Sequence, residues 1–190
     1  MKRIGIFGGT FNPPHIGHLI MANEVLFSLK LDEIWFMPSH IPPHKTLKQE
    51  IDPNHRLNML SLATDGYSKF RVQSIEFERN DISYTFDTMC ILKETYPDNQ
   101  FYFIIGADMV EYLPKWYNIE ELQKLVTFVG VKRPGYEMKS PYSILEVEAP
   151  QMDISSSFIR ERIKVQGPID FYVPLSVKHY IEENQLYESE

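Results

Sequence analysis

The feature that most constrains this chain is residues 4–18, where a short apolar strand runs into two glycines, two prolines and a histidine pair. A turn at Gly8 and Gly9 exposes main-chain N–H groups, and the helix after the prolines brings its N-terminus to the same place, so both features favour phosphate. His15 and His18 are three residues apart, which puts both imidazoles on one helical face beside the anion site. The segment therefore predicts a strand–turn–helix unit that holds a nucleotide triphosphate.

Other uses of the histidine pair are less well supported by the neighbouring sequence. Two imidazoles could ligate a metal ion, but no acidic third ligand is adjacent to them. The glycines also lack the spacing of the Rossmann dinucleotide motif and of the P-loop, so neither a nicotinamide-dependent dehydrogenase nor a P-loop kinase is indicated. Phosphate contact by His15 and His18 is the favoured hypothesis, and a structural role for the pair stays open.

Length and charge limit the class of protein. The chain has 190 residues and a net charge of −7, so we expect one domain over residues 1–190, with residues from about 151 to 190 as a small helical subregion. The acidic balance argues against binding of macromolecular nucleic acid. Because there is no apolar run of about 18 residues and no secretory leader, we expect a cytoplasmic protein that does not bind membranes.

Apolar strands alternate with helical patterns along the chain, which is typical of a parallel sheet covered on both faces. We predict an α/β fold, Rossmann-like and doubly wound, with a mainly parallel sheet and ligands beyond the carboxyl ends of its strands. The predicted strands are residues 3–7, 33–38, 70–77, 100–105, 127–131 and 142–147. The predicted helices are residues 16–29, 54–63, 84–96 with Ser83 as the cap, 120–125, 155–163 and 174–183.

A second candidate phosphate site lies where three serines precede an amphipathic run. Ser155, Ser156 and Ser157 offer a helix N-cap and main-chain donors. Arg160 lies one turn inside the predicted helix and can fork onto phosphate oxygens. Taken alone, the segment also fits an ordinary capped helix with a solvated arginine.

Both candidate sites match one superfamily. Residues 8–18, GGTFNPPHIGH, resemble the signature of the nucleotidyltransferases that carry a (T/H)-x-G-H motif, and residues 154–160, ISSSFIR, resemble their I-S-S-T-x-I-R motif. Asn12 stands where members usually have Asp, which removes one negative charge and keeps hydrogen bonding. Ser157 replaces Thr and retains the hydroxyl. HIGH is also a signature of class I aminoacyl-tRNA synthetases, but length and the lack of a K-M-S-K-S-like segment exclude a fragment of one.

Further segments, spread over essentially the whole chain, resemble the bacterial nicotinate mononucleotide adenylyltransferases: residues 42–45, 83–88, 106–108, 115–117 and 183–187. The resemblance implies adenylyl transfer from ATP to nicotinate mononucleotide, which gives deamido-NAD and pyrophosphate in NAD biosynthesis. It implies Mg²⁺ carried by ATP and pyrophosphate, no metal site in the protein, and leaves a homodimer open. The alternatives are a sister adenylyltransferase for nicotinamide mononucleotide or phosphopantetheine, and a non-catalytic nucleotide-binding regulator.

The resemblance also implies roles for individual residues. The expected catalytic residues are His15, His18, Lys45 and Arg160. The residues expected to bind ATP are Gly8, Gly9, Thr10, Phe11, His15, His18, Gly106, Asp108, Arg133, Ser155, Ser156, Ser157 and Arg160. Those expected to bind the mononucleotide are His44, Lys45, Tyr84, Thr85, Asp108, Trp116 and Tyr117.

In this family the pyridine ring would lie against Trp116, and the nicotinate carboxylate would bind main-chain N–H groups near Tyr84 and Thr85. An aromatic face suits a flat ring, and donors at a helix start suit a carboxylate. Simpler interpretations stay open: Trp116 as a core anchor, Asp108 as a helix cap and Lys45 as a solvated loop residue.

Overall fold

The protein is described by a computed structural model over residues 1–40, 51–78, 83–132, 138–150 and 152–188. Within these residues six strands form one sheet in the order β3-β2-β1-β4-β5-β6, and each neighbouring pair is parallel. The strands are β1 Arg3–Gly9, β2 Glu33–Pro38, β3 Phe70–Val72, β4 Gln100–Gly106, β5 Val126–Val131 and β6 Ile144–Val147. The helices are α1 Ile16–Ser28, α2 Pro53–Thr64, α3 Thr85–Thr95, α4 Ala107–Val110, α5 Ile119–Leu125, α6 Ser156–Lys164 and α7 Leu175–Glu183. The predicted α/β fold is confirmed.

β1 lies between β2 and β4, and the direction in which strands are added to the sheet reverses there. Its side chains alternate between the two faces, with Ile4 and Ile6 in one apolar cluster and Phe7 in the other. Such burial on both faces is typical of a parallel strand. In doubly wound sheets the crevice at the reversal is where ligands bind, so the space beyond Gly9 and Gly106 is the expected site.

Three apolar clusters hold the helices in place. One covers the sheet face that carries Ile4 and includes side chains of α3 and α5. The second covers the opposite face and includes side chains of α1. The third lies away from the sheet centre and joins α2 to α6 and α7. The C-terminal helices therefore pack against a helix that follows β2, which brings distant parts of the sequence to one end of the sheet.

Local structure differs from the expectations at several places. β1 continues through Gly8 and Gly9, so these glycines end a strand that is paired with β2 and do not form the expected turn. Residues 70–77 are a strand only as far as Val72, because the Gln73 side chain accepts from Ile75 N–H at 3.2 Å and a 3₁₀ turn follows. Ser83 is not the cap of α3, whose N-cap position is Tyr84. The short helix α4 after β4 was not predicted. Among the described residues no helix is both long and apolar enough to cross a bilayer.

Glu33 lies at the amino end of β2, at the opposite end of the sheet from the expected site. Its carboxylate accepts from Lys2 Nζ at 2.6 Å and from Trp35 Nε1 at 2.8 Å, and it pairs with Arg71 Nε at 3.0 Å. Burial raises the pKa of Glu33, but hydrogen bonds from Lys2 and Trp35 and the positive charge of Arg71 outweigh it. The pKa therefore lies below its ordinary value of 4.5.

Because the pKa of Glu33 is lowered in the native protein, its ionised carboxylate stabilises the fold at pH values above the pKa of the unfolded state. This stabilisation is lost as the pH falls through the native pKa. Glu33→Gln should lower the free energy of unfolding at pH 7, and its difference from wild type should shrink below about pH 4.5. Urea unfolding at both pH values measures this. Glu111→Gln changes an exposed side chain and should stay within about 0.5 kcal/mol of wild type. A difference in the free energy of unfolding between wild type and Glu33→Gln that is the same at pH 7 and below about pH 4.5 would contradict this role of Glu33.

Candidate active site

An open cavity of about 220 Å³ lies beyond the carboxyl ends of β1 and β4, at the reversal of the sheet. It is bounded by the turn after β1, the end of β4, the start of α3 and the segment after α4. The sequence-predicted residues that line it are Gly8, Gly9, Thr10, Tyr84, Thr85, Gly106, Trp116 and Tyr117. A cavity therefore lies where the sequence analysis expects ligands to bind.

The end of β1 has little room for side chains at Gly8 and Gly9. A Cβ added at Gly8 would stand 3.0 Å from Phe103 Cζ, and one at Gly9 would stand 3.1 Å from Phe11 Cζ. Phe11 has a φ of 50°, which is uncommon for a bulky residue. Its ring is held against Phe36 and His18, with centroids 5.8 and 5.0 Å away. Backbone strain of this kind collects at functional sites.

The histidine pair forms a stacked unit at the start of α1. The two rings have centroids 3.6 Å apart, and the His15 main-chain N–H donates to His18 Nδ1 at 3.1 Å. α1 begins at Ile16, and His15 is its N-cap residue. A neutral His18 that accepts at Nδ1 carries its proton on Nε2, where it is a donor for an anion. The pair is thus close to the end of β1, as the sequence predicted.

The three serines at the start of α6 make three separate contacts. Ser155 is the N-cap and accepts from Phe158 N–H at 3.1 Å, whereas Ser156 Oγ donates to the Pro13 carbonyl oxygen at 2.9 Å. Ser157 Oγ accepts from Arg160 Nη2 at 3.1 Å. Arg160 Nη1 also donates to the Asn12 carbonyl oxygen at 2.7 Å. These contacts fasten the start of α6 to the loop after β1 and use two of the five N–H donors of Arg160.

Aromatic side chains form the far wall of the cavity. The Trp116 ring stands nearly perpendicular to Phe103 and Phe128, with centroids 5.7 and 6.3 Å away. Its Nε1 is buried and has no hydrogen-bond partner among the described residues. Trp116 thus packs on the core and also faces the cavity. Beside it Tyr117 is 53% exposed and lies 4.8 Å from the Tyr84 ring.

The start of α3 contributes main-chain donors to the same cavity. α3 begins at Thr85, and the side chain of Tyr84, at its N-cap, makes no capping hydrogen bond. The first N–H groups of a helix have no acceptor within the helix, so they are donors for a ligand. Thr88 in the first turn donates to Glu76 Oε1 at 3.0 Å, and Glu76 also lines the cavity. Nothing in the sequence around Glu76 pointed to this position.

The other predicted residues are distributed as follows. Phe11, His15, His18, Ser155, Ser156, Ser157 and Arg160 lie around the loop after β1 rather than on the cavity wall. Asp108 is beside Gly106, where an added Cβ would stand 2.5 Å from its Oδ1. His44, Lys45 and Arg133 lie outside the described residues. In the described parts of the chain, no three or more His, Cys, Asp and Glu side chains are grouped so that they could hold a metal ion.

Sequence reasoning missed two residues that contact the loop. Arg56 is 1% exposed and donates to the carbonyl oxygens of Thr10, Ser39 and His40 at 3.0, 2.7 and 3.2 Å. Tyr187 donates to the Asn12 side chain from the far end of the chain. An arginine within a helix and a tyrosine near the C-terminus carry no local signal for such contacts.

Comparison with known proteins agrees with this geometry. The cytidylyltransferase-like family model matches residues 6–162. The nicotinate-nucleotide adenylyltransferase of Bacillus subtilis strain 168 is 56% identical over 189 residues, which cover 100% of both chains. Two structures of Plasmodium falciparum nicotinic acid mononucleotide adenylyltransferase, complexed with NaAD and with APC, share the fold at TM-scores of 0.82 and 0.78. Each covers 98% of both chains, at 24% and 23% identity. The chain therefore belongs to the nicotinate-nucleotide adenylyltransferases, within the cytidylyltransferase-like family.

Proposed function

We propose that this protein transfers the adenylyl group of MgATP to nicotinate mononucleotide and releases pyrophosphate. The observation that carries the proposal is that two different groups of residues meet where β1 ends, around Gly8 and Gly9. One side has the histidine pair and Arg160, which suit a triphosphate. The other has an aromatic cavity that ends at a helix start, which suits a flat ring with a negative group. A reaction that joins two nucleotides requires both.

The chemistry requires alignment more than proton transfer. An oxygen of the mononucleotide phosphate forms a bond to the α-phosphorus of ATP, and the bond from that phosphorus to the β-phosphate bridge oxygen breaks. The attacking oxygen is largely ionised at pH 7, because the second pKa of a phosphate monoester is about 6. No general base is needed, so rate enhancement comes from positioning and from stabilisation of the moving charge.

On the ATP side we assign the donors by their position around the loop. His15 and His18 face the α-phosphate and the charge that develops there, and Arg160 holds the β- and γ-phosphates. The support is that the His18 Nε2–H and the remaining guanidinium donors belong to groups fastened by hydrogen bonds to the same loop. The start of α6 and the loop after Gly9 supply main-chain donors.

On the mononucleotide side we assign the pyridine ring to Trp116 and its carboxylate to the N–H groups at the start of α3. Tyr84 and Thr85 bring that helix start to the cavity. Asp108 beside Gly106 takes ribose hydroxyls. We assign Lys45 to the attacking phosphate on the basis of the family resemblance. Mg²⁺ arrives with ATP and leaves with pyrophosphate, where it neutralises the leaving group.

His18→Ala should leave the fold intact and lower kcat by about 10²–10³, the cost of one transition-state donor. Pyrophosphate release with both substrates, together with thermal unfolding, measures the two effects. His179 is exposed on α7 and provides the matched control, because His179→Ala should change neither quantity. A His18→Ala protein that melts normally and keeps more than half of wild-type kcat would refute the role, and release without the mononucleotide would refute the reaction.

Trp116→Ala should raise KM for the mononucleotide far more than KM for ATP, since stacking of a ring on an aromatic side chain is worth about 1–3 kcal/mol. Steady-state kinetics with each substrate varied in turn separates the two constants. The matched control is Trp35→Phe: Trp35 is 6% exposed and packs in the core without lining the cavity. It should lower stability and change both KM values equally or not at all. If Trp116→Ala also lowered stability and changed both KM values equally or not at all, Trp116 would be a core residue and not a ligand-binding one.

A further inference from the structure

The turn after α7 holds a tyrosine in an unusual position. Tyr187 is 6% exposed, and its backbone has a φ of 66°. A left-handed conformation is rare for a bulky residue, so surrounding contacts must hold it. Its ring belongs to the apolar cluster that joins α2, α6 and α7. Packing in this cluster accounts for the burial of the ring, and the hydroxyl has a separate polar partner.

That hydroxyl reaches the loop after β1. Tyr187 Oη donates to Asn12 Oδ1 at 2.5 Å, across 175 positions of sequence. Burial raises the pKa of Tyr187 far above its usual range, against the positive charges of Arg160 and Arg56, which lower it. The hydroxyl is therefore protonated at neutral pH, where it is a donor.

Asn12 connects this hydroxyl to Arg160. The Asn12 side chain accepts from Tyr187, while its main-chain oxygen accepts from Arg160 Nη1 at 2.7 Å. Asn12 is itself 4% exposed, so an acceptor there that lost its partner would be costly. Because both bonds are made to Asn12, Tyr187 and Arg160 hold the same residue of the loop from two sides.

We propose that Tyr187 is a positioning residue for ATP: its hydroxyl fixes Asn12, and Asn12 in turn holds Arg160 towards the triphosphate. The proposal rests on the proposed function for the assignment of Arg160. It gives the C-terminal turn a part in nucleotide binding, although Tyr187 does not line the cavity. A loop held from two sides loses less freedom when ATP binds, which favours binding.

The test is calorimetric titration of the full-length protein with MgATP alone, followed by kinetics. Tyr187→Phe keeps the ring and removes the hydrogen bond, so it should raise the Kd for MgATP about tenfold, which corresponds to 1.4 kcal/mol. KM for the mononucleotide should not change. In an Arg160→Ala background the same substitution should have no further effect on Kd, because the two residues act as one unit.

Tyr180→Phe is the matched control. Tyr180 Oη lies 2.9 Å from both His55 Nδ1 and Asn58 Nδ2, in the same helical region but away from the loop. It also loses a tyrosine hydroxyl, so it should lower the melting temperature and leave the Kd for MgATP unchanged. Should Tyr187→Phe fail to fold, Asn12→Ala removes the acceptor of the same hydrogen bond and takes its place.

A Tyr187→Phe protein that melts lower but binds MgATP within twofold of wild type would overturn the proposal, as would a tenfold loss that persists in the Arg160→Ala background. Binding is measured without the second substrate, so this result is separate from the proposed function. A protein that binds MgATP as expected but releases no pyrophosphate would contradict that function and leave the role of Tyr187 standing.

Discussion

Hydrogen bonds hold the carbonyl oxygens at the end of β1 and in the loop after it, and the rest of the site depends on this. The Gly9 oxygen accepts from Ser39 N–H at 2.9 Å, and the Thr10 oxygen accepts from Arg56 at 3.0 Å. In a planar trans peptide the N–H of the next residue points the opposite way from the carbonyl. The N–H groups of Thr10 and Phe11 are thereby directed away from these partners, and buried carbonyls that lacked partners would be costly.

Two of the groups that hold the loop come from the helical cluster. Arg56 belongs to α2 and Ser156 to α6, and these helices share one apolar cluster with α7. Packing in that cluster therefore sets the geometry of the proposed nucleotide site. It also places two guanidinium groups, Arg56 and Arg160, beside one loop in a chain whose net charge is −7. The positive potential that a triphosphate requires is local, and the overall charge does not reveal it.

Local pattern predicted the strands of the sheet and six of the seven described helices, because each depends on residues that are close in sequence. Buried parallel strands have continuous apolar runs, although β1 continues through Gly8 and Gly9, where the pattern predicted a turn. The strand over residues 70–77 was overextended, because the contact that ends it is made by the side chain of Gln73. Ser83 was a reasonable cap by residue type, but the helix begins two residues later.

The contacts that complete the site could not be predicted from pattern. Tyr187 and Asn12 are far apart in sequence, and their meeting depends on how α7 packs on α2. The same holds for Arg56, which is only 1% exposed although arginine side chains usually lie at the surface. Substrate assignments such as that of Trp116 came from family resemblance, since stacking residues and core residues have the same sequence signal.

Binding of a negative group on the pyridine ring by N–H donors at the start of α3, as proposed, determines which mononucleotide is preferred. Values of kcat/KM for nicotinate and nicotinamide mononucleotides at fixed MgATP, measured by pyrophosphate release, test this binding. A charge-assisted hydrogen bond is worth about 1.5–3 kcal/mol, and an amide would turn its NH₂ towards N–H groups of like polarity. The account predicts at least about a tenfold preference for the acid. Equal values, or a preference for the amide, would contradict it.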